Sequence, residues 1–311
     1  MRKNGKVGQF AGGGKRQRMK KLGMIVNAHK PEAIAMARRL LQWGRDRGVS
    51  FLLPHLEASI LTAAGLSDEE WLGTVEVAIV VGGDGTFLRA ARYVLDAGTL
   101  LYGINLGHLG FLSSGKPDSA EEDLENILND RYNILERRLL HCVLYRDGAP
   151  LHTLYALNDI VLSKNAIARL LHIEVRFDDR FFGILPADGV IVSSPTGSTA
   201  YALSAGGPII PPHLDSMLLA PLCAHTLYSR PLMAAATDRI SLIPRGSYRD
   251  ITLTQDGQLG YEVLPGDRMD IELDRDKGIH TIAMPNRTFL DLVQEKLGWG
   301  QSRAISESEK E

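Results

Sequence analysis

From residue 77 the chain alternates between two textures. Val77–Val81 is an unbroken apolar run rich in β-branched residues, the pattern of a strand buried on both faces of a parallel sheet. Thr86–Ala97 then places its apolar residues at helical spacing, and Leu100–Ile104 reads as the next buried strand. Upstream, Met24–Asn27 is a short apolar strand; after Pro31, residues Ala33, Ala37, Leu40 and Leu41 fall on one helical face. Such strand–helix alternation predicts an open, Rossmann-like α/β domain with parallel strands. Ala120–Leu128 adds a further helix.

After about residue 134 the pattern becomes short and alternating, broken by the turn dipeptides Asp147-Gly148, Asp178-Asp179 and Asp256-Gly257. His172–Phe177 and Arg180–Ile184 read as a tight hairpin, with Ile173, Val175 and Phe177 on one face. Ile251–Thr254, Met269–Leu273 and Ile279–Ala283 are further strands, so this half is expected to be a β-sandwich-like domain. Thr288–Leu297 returns to helical spacing and is expected to pack back on the first domain. The predicted plan is an α/β domain over 22–115 joined by 285–300, a β-rich domain over 116–284, and tails at 1–21 and 301–311.

Composition narrows the class. The 311 residues are 44% hydrophobic and 23% charged with a net charge of −2, which points to neither a nucleic-acid nor a membrane partner. No apolar run approaches the roughly 20 residues that span a bilayer. Cys142 and Cys223 match no metal-ligand spacing and are expected to be buried thiols in a reducing compartment, hence a cytoplasmic protein. Residues 1–21 carry eight basic residues and no acid; a disordered tail is expected, or a folded chain that starts at Met19.

Three stretches carry chemistry. Gly82-Gly83-Asp84-Gly85-Thr86 lies where a parallel strand ends and a helix begins, a place where glycines and helix N–H groups receive phosphate. It is neither a Walker loop nor a dinucleotide fingerprint. Asp84 at its centre fits a base that accepts the attacking hydroxyl's proton, a group that positions metal or hydroxyl, or a helix cap. The second stretch runs from Asp188 to Pro208, where a strand enters a Pro-Thr-Gly-Ser-Thr-Ala-Tyr loop. Its small residues would let backbone approach a flat ligand, and its hydroxyls would supply neutral donors and acceptors. The third is Asn158-Asp159 in an otherwise apolar strand, where a sugar diol or a neighbouring loop would satisfy the polar groups.

Together these stretches resemble the NAD kinase family, over nearly the whole chain from Met24 to Gly298. The likeness extends to Asn105–Leu112, His225-Thr226-Leu227 with Arg230-Pro231, Asp256-Gly257-Gln258 and Lys296-Leu297-Gly298-Trp299. The resemblance implies phosphoryl transfer from ATP or polyphosphate to the adenosine 2′-hydroxyl of NAD, with Asp84 as general base. It implies a donor-phosphate loop of Gly82, Gly83, Gly85 and Thr86. NAD contacts are implied for Asp84, Gly85, Asn158, Asp159, Arg169, Asp188, Thr199, Ala200, Tyr201, Ser204 and Gln258. Mg²⁺ is expected with the donor, without a metal site built by the protein itself, and a homodimer or homotetramer is implied. Pro186 stands where many bacterial members carry a basic residue. A lipid kinase sharing GGDGT, or a catalytically silent NAD sensor, are the competing readings.

Overall fold

The computed structural model describes residues 20–107, 110–113, 115–165, 170–247, 250–285 and 287–299. The α/β half runs β1 (Leu22–Val26), α1 (Pro31–Arg47), β2 (Phe51–Leu52), α2 (His55–Leu61), α3 (Asp68–Leu72), β3 (Val77–Gly82), α4 (Asp84–Tyr93), β4 (Leu100–Asn105) and α5 (Ala120–Leu128). Pro31 opens α1, where a missing N–H costs nothing, and Gly48 closes it in the left-handed conformation. The strand order is β2-β1-β3-β4, all parallel. Alternate side chains of β1 and β3 serve opposite faces. Met24, Val26, Ile79 and Val81 pack with α1, α2 and α5, while Ile25, Ala78 and Val80 pack with Phe87, Ala90 and Ala91 of α4. Coverage on both sides is why these strands are apolar throughout.

The second half comprises β5 (Asn133–Arg146), β6 (Ala149–Ala156), β7 (Asp159–Lys164), β8 (Leu171–Phe177), β9 (Arg180–Ala187) and β10 (Gly189–Ser193). A 3₁₀ turn (Thr196–Thr199) and the short α6 (Tyr201–Ser204) follow. Then come β11 (Ser216–Leu222), β12 (Leu232–Ala235), β13 (Ile240–Arg245), β14 (Ile251–Gln255), β15 (Leu259–Val263), β16 (Arg268–Ala283) and α7 (Phe289–Leu297). A six-stranded antiparallel sheet, β12-β11-β10-β7-β14-β15, faces β5, β6, β8, β13 and β16 across one apolar core. The fold is thus an α/β domain followed by a β-sandwich-like one, with the final helix, as the sequence leads one to expect. Thr288 caps α7 reciprocally with Asp291, and the helix packs its Leu292 and Val293 against Phe111.

Three expectations change. Met269–Leu273 and Ile279–Ala283 are one strand, β16, whose register against β5 shifts between Leu273 and Gly278. There Asp274 Oδ1 accepts the N–H groups of Asp276 and Lys277, so what reads as a turn is a bulge. Beyond it β16 reaches β4 through Thr281 and Leu101, which joins both halves in one ten-stranded sheet. α4 begins at Asp84 and ends at Tyr93, short of Ala97. Cys142 is buried in the sandwich core, whereas Cys223 is exposed, because it lies past the end of β11. Both are free thiols. The expectations for 1–19, 301–311 and Arg169 fall outside the described residues; Lys20, just inside them, donates to the Ile127 carbonyl and to Asp130.

Candidate active site

In the α/β sheet the strand order reverses between β1 and β3, and ligands of such sheets bind at the carboxyl ends beside that reversal. Gly82 ends β3 there, Gly83 occupies the N-cap position and Asp84 is the first residue of α4. Asp84 does not cap its own helix. Its Oδ2 accepts the Phe111 N–H at 3.0 Å, and its Oδ1 accepts those of Leu112 at 3.3 Å and Ser113 at 3.1 Å. Gly110 is what permits this approach, since a Cβ there would overlap Asp84 Oδ1. A carboxylate offers about four acceptor positions. Three are taken by this loop, and the remaining one lies on Oδ2.

A second carboxylate repeats the arrangement on the β-rich side. Asp256, in the β14–β15 turn, accepts the N–H groups of Leu157 at 3.1 Å, Asn158 at 2.7 Å and Asp159 at 3.2 Å. Burial raises its pKa against the pull of those three bonds. Asp159, the first residue of β7, is pushed up to about 7 by burial, with the charge of Asp256 adding to it. Among the described residues no donor lies within hydrogen-bonding distance of the Asp159 carboxylate. The Asn158 carbonyl accepts from Ser194 N–H, and the Gly197 Cα sits so close that a Cβ would overlap it. Gln258 joins the two sides: its Nε2 donates to the Gly85 carbonyl at 2.8 Å and its Oε1 accepts from Arg92 at 2.9 Å.

Comparison with known proteins now decides the family. Residues 22–132 match the ATP-NAD kinase N-terminal domain, and residues 157–279 match the ATP-NAD kinase C-terminal domain. An NAD kinase of Moorella thermoacetica is 41% identical over 292 residues, 93% of each chain. One of Geotalea daltonii is 36% identical over 91% of this chain and 100% of its own. The chain belongs to the NAD kinase family. Its fold is also that of a yeast NADH kinase complexed with NADH, with a TM-score of 0.83 at 24% identity, covering 92% of this chain and 90% of that one. An NAD kinase from Archaeoglobus fulgidus in complex with ATP gives 0.71 at 22% identity, over 90% and 100% of the two chains.

Set on this family fold, the residues expected from the sequence fall into two groups. Asp84, Gly85, Asn158, Asp159 and Gln258 converge on the junction of α4, β7 and the β14–β15 turn. Asp188 does not. It precedes β10 at the opposite end from Ser193, about 16 Å away at strand spacing, and pairs with Lys164 at 2.8 Å. Tyr201 and Ser204 are exposed on α6, and Thr199 and Ala200 are half-buried before it. The hydroxyls of the 193–199 segment have a different role from the one expected. Ser193 and Ser194 donate to the Asn158 and Leu157 carbonyls, Ser198 to Pro195, and Thr199 to Thr196. They brace the turn internally, and the backbone is what they leave to present.

Two participants escape motif reading. Asp256 stands in a matched tripeptide, yet its work on the backbone of 157–159 has no signature in residue types. Arg137 on β5 is buried, and its guanidinium faces the Thr281 and Thr196 hydroxyls and the Phe111 carbonyl. Its only signal is phase: it shares a face of β5 with buried Leu139.

Proposed function

We propose that this chain transfers a phosphoryl group from ATP to the 2′-hydroxyl of the adenosine ribose of NAD, giving NADP. The observation that carries the reading is the aim of Asp84. Its carboxylate makes no cap bond to its own helix and is held by three backbone N–H groups, with one acceptor position of Oδ2 left to take the hydroxyl's proton. The donor phosphates lie along Gly82, Gly83, Gly85 and Thr86 at the α4 N-terminus, where a Cβ at Gly83 would meet nothing within 4 Å. Phosphoryl transfer has a loose transition state, so alignment of hydroxyl and donor is most of the task. Polyphosphate as an alternative donor would use the same loop.

NAD lies between Asp159 and the 196–204 turn in this scheme. Asp159 takes ribose hydroxyls, Asn158 and Gln258 flank them, and Thr199, Ala200, Tyr201 and Ser204 contact the bases, with Arg169 a further contact. Mg²⁺ would accompany the donor, held by phosphate oxygens and water, with Asp84 the carboxylate nearest the loop. When bound it neutralises donor charge.

Asp188 enters the scheme from a partner subunit, because within its own chain it stands at the far end of β10 from the junction. Exposed apolar side chains on the neighbouring edge strands, Phe181, Phe182 and Ile184 of β9 and Leu232 and Met233 of β12, support a homodimer or homotetramer. No described helix is long and apolar enough to cross a membrane; a cytoplasmic location accords with the two free thiols. The two matched kinase domains leave the lipid-kinase and silent-sensor readings without support. Purified protein given NAD, Mg²⁺ and ATP should form NADP, read with an NADP-specific dehydrogenase. Folded protein that forms none with ATP or polyphosphate overturns the proposal.

A further inference from the structure

We propose that Arg137 is a positioning residue for Asp84, holding the loop that grips the carboxylate and supplying the positive charge behind it. The proposal rests on the reading of Asp84 as the base. Arg137 lies where four segments of the chain meet. Its Nε donates to Thr281 Oγ1 of β16 at 3.3 Å, its Nη1 to Thr196 Oγ1 of the 3₁₀ turn at 3.4 Å, and its Nη2 to the Phe111 carbonyl at 3.4 Å. Phe111 is also the residue whose N–H binds Asp84 Oδ2. One peptide segment therefore faces the carboxylate with its N–H groups and the guanidinium with a carbonyl. On its other side the Phe111 ring is held by Phe289, Leu292 and Val293 of α7, with Lys296 over its face.

These contacts are long and go to neutral oxygens, poor compensation for burying a cation. Among the described residues no carboxylate stands within ion-pair distance of Arg137. Burial brings its pKa down to about 10, and the one charge opposing that fall is Asp84. A buried charge without a close partner is a weak source of stability, and its three hydrogen bonds go to neutral oxygens. What the cation does supply is a fixed positive field beside the base and a tie between the Asp84 loop and Thr196 in the NAD turn. Other charges near the junction are committed elsewhere: Arg92 to Gln258, and Asp256 to the 157–159 backbone.

The test uses the full chain with Arg137→Met and Arg137→Lys, measuring Tm and the kcat and KM for NADP formation. Arg137→Met is expected to lower Tm modestly, the variant staying folded, while kcat falls about 10²-fold and KM for NAD stays within about threefold. Arg137→Lys is expected to restore at least about tenfold of that loss, because it returns the charge. An unchanged kcat in Arg137→Met overturns the proposal. So does a fall in kcat that follows a fall in Tm and is not rescued by lysine, which would mark a purely structural residue. Should Arg137→Met not fold, Arg137→Gln decides by the same readouts. If the unaltered chain makes no NADP, the reading of Asp84 fails separately. The amide resonances of Phe111, Leu112 and Ser113 then decide for Arg137: displaced in the variant they support it, unmoved they overturn it.

Discussion

Asp84 accepts the N–H groups of three consecutive residues, Phe111 to Ser113, and Asp256 accepts those of three others, Leu157 to Asp159. The same device serves both sides of the junction: one carboxylate, at the start of α4 or in the β14–β15 turn, collects the backbone N–H groups of three consecutive residues from another segment. Their surroundings differ in sign. Arg137 lies beside Asp84, while Asp256 sits beside another buried carboxylate, Asp159. The difference teaches how similar geometry is put to unlike use. On the α/β side a buried guanidinium lies near the carboxylate, and the Phe111 peptide bonds both, with its N–H to Asp84 and its carbonyl to Arg137. On the sandwich side two carboxylates hold one proton to about neutral pH, which suits a group that binds hydroxyls instead of reacting with them.

The largest break expected is Gly110→Ala. Its methyl would displace the Asp84 carboxylate directly, and kcat for NADP formation should fall about 10²–10⁴-fold, the range for losing a general base. An active Gly110→Ala would mean that Asp84 is not needed in this pose. Next comes Asp256→Asn, which replaces one of the oxygens collecting the 157–159 amides. A raised KM for NAD and a loss of about 1–3 kcal/mol in denaturant unfolding are expected, with kcat affected less. If kcat falls more than kcat/KM for NAD, the two carboxylates do not divide their work as described.

Asp159→Asn sharpens the comparison through pH. The folded chain keeps a proton on Asp159 up to about pH 7, whereas an unfolded aspartate loses it near 4. Between those values the folded state holds the extra proton, so this residue's contribution to stability declines as pH rises and levels off above about 7. The asparagine variant lacks that decline. Its Tm should exceed the parent's by about 2–4 °C at pH 8 and match it near pH 5, while its NAD affinity falls. An equal Tm difference at both pH values would contradict the buried-proton reading. Gln258→Ala is the mildest change: it removes a bridge between Gly85 and Arg92 and should raise KM for NAD only a few-fold, by steady-state kinetics.

Much of this was legible beforehand. The continuous apolar runs at 24–27, 77–81 and 100–104 mark a sheet covered on both faces, and each became a parallel strand. GGDG could be placed at a strand end because its glycines follow an apolar run, whereas Asn158-Asp159 reads as the interior of one strand and the structure instead ends β6 at Ala156 and starts β7 at Asp159. The partners of Asp84 could not, because they are backbone N–H groups and any sequence supplies those. Nor could the length of β16, since the charged residues of a bulge look like those of a turn. The hydroxyl-rich 193–199 run advertised a site but not the direction of its hydroxyls, which close on neighbouring carbonyls.

The most direct test of the central claim is Asp84→Asn, assayed for NADP formation and for NAD binding by calorimetry. Asparagine keeps the shape and one acceptor oxygen but cannot take a proton at neutral pH. Binding should stay within about threefold while kcat drops about 10²–10⁴-fold. A variant with unchanged kcat would contradict the claim that this carboxylate, held by the 111–113 amides, is the base.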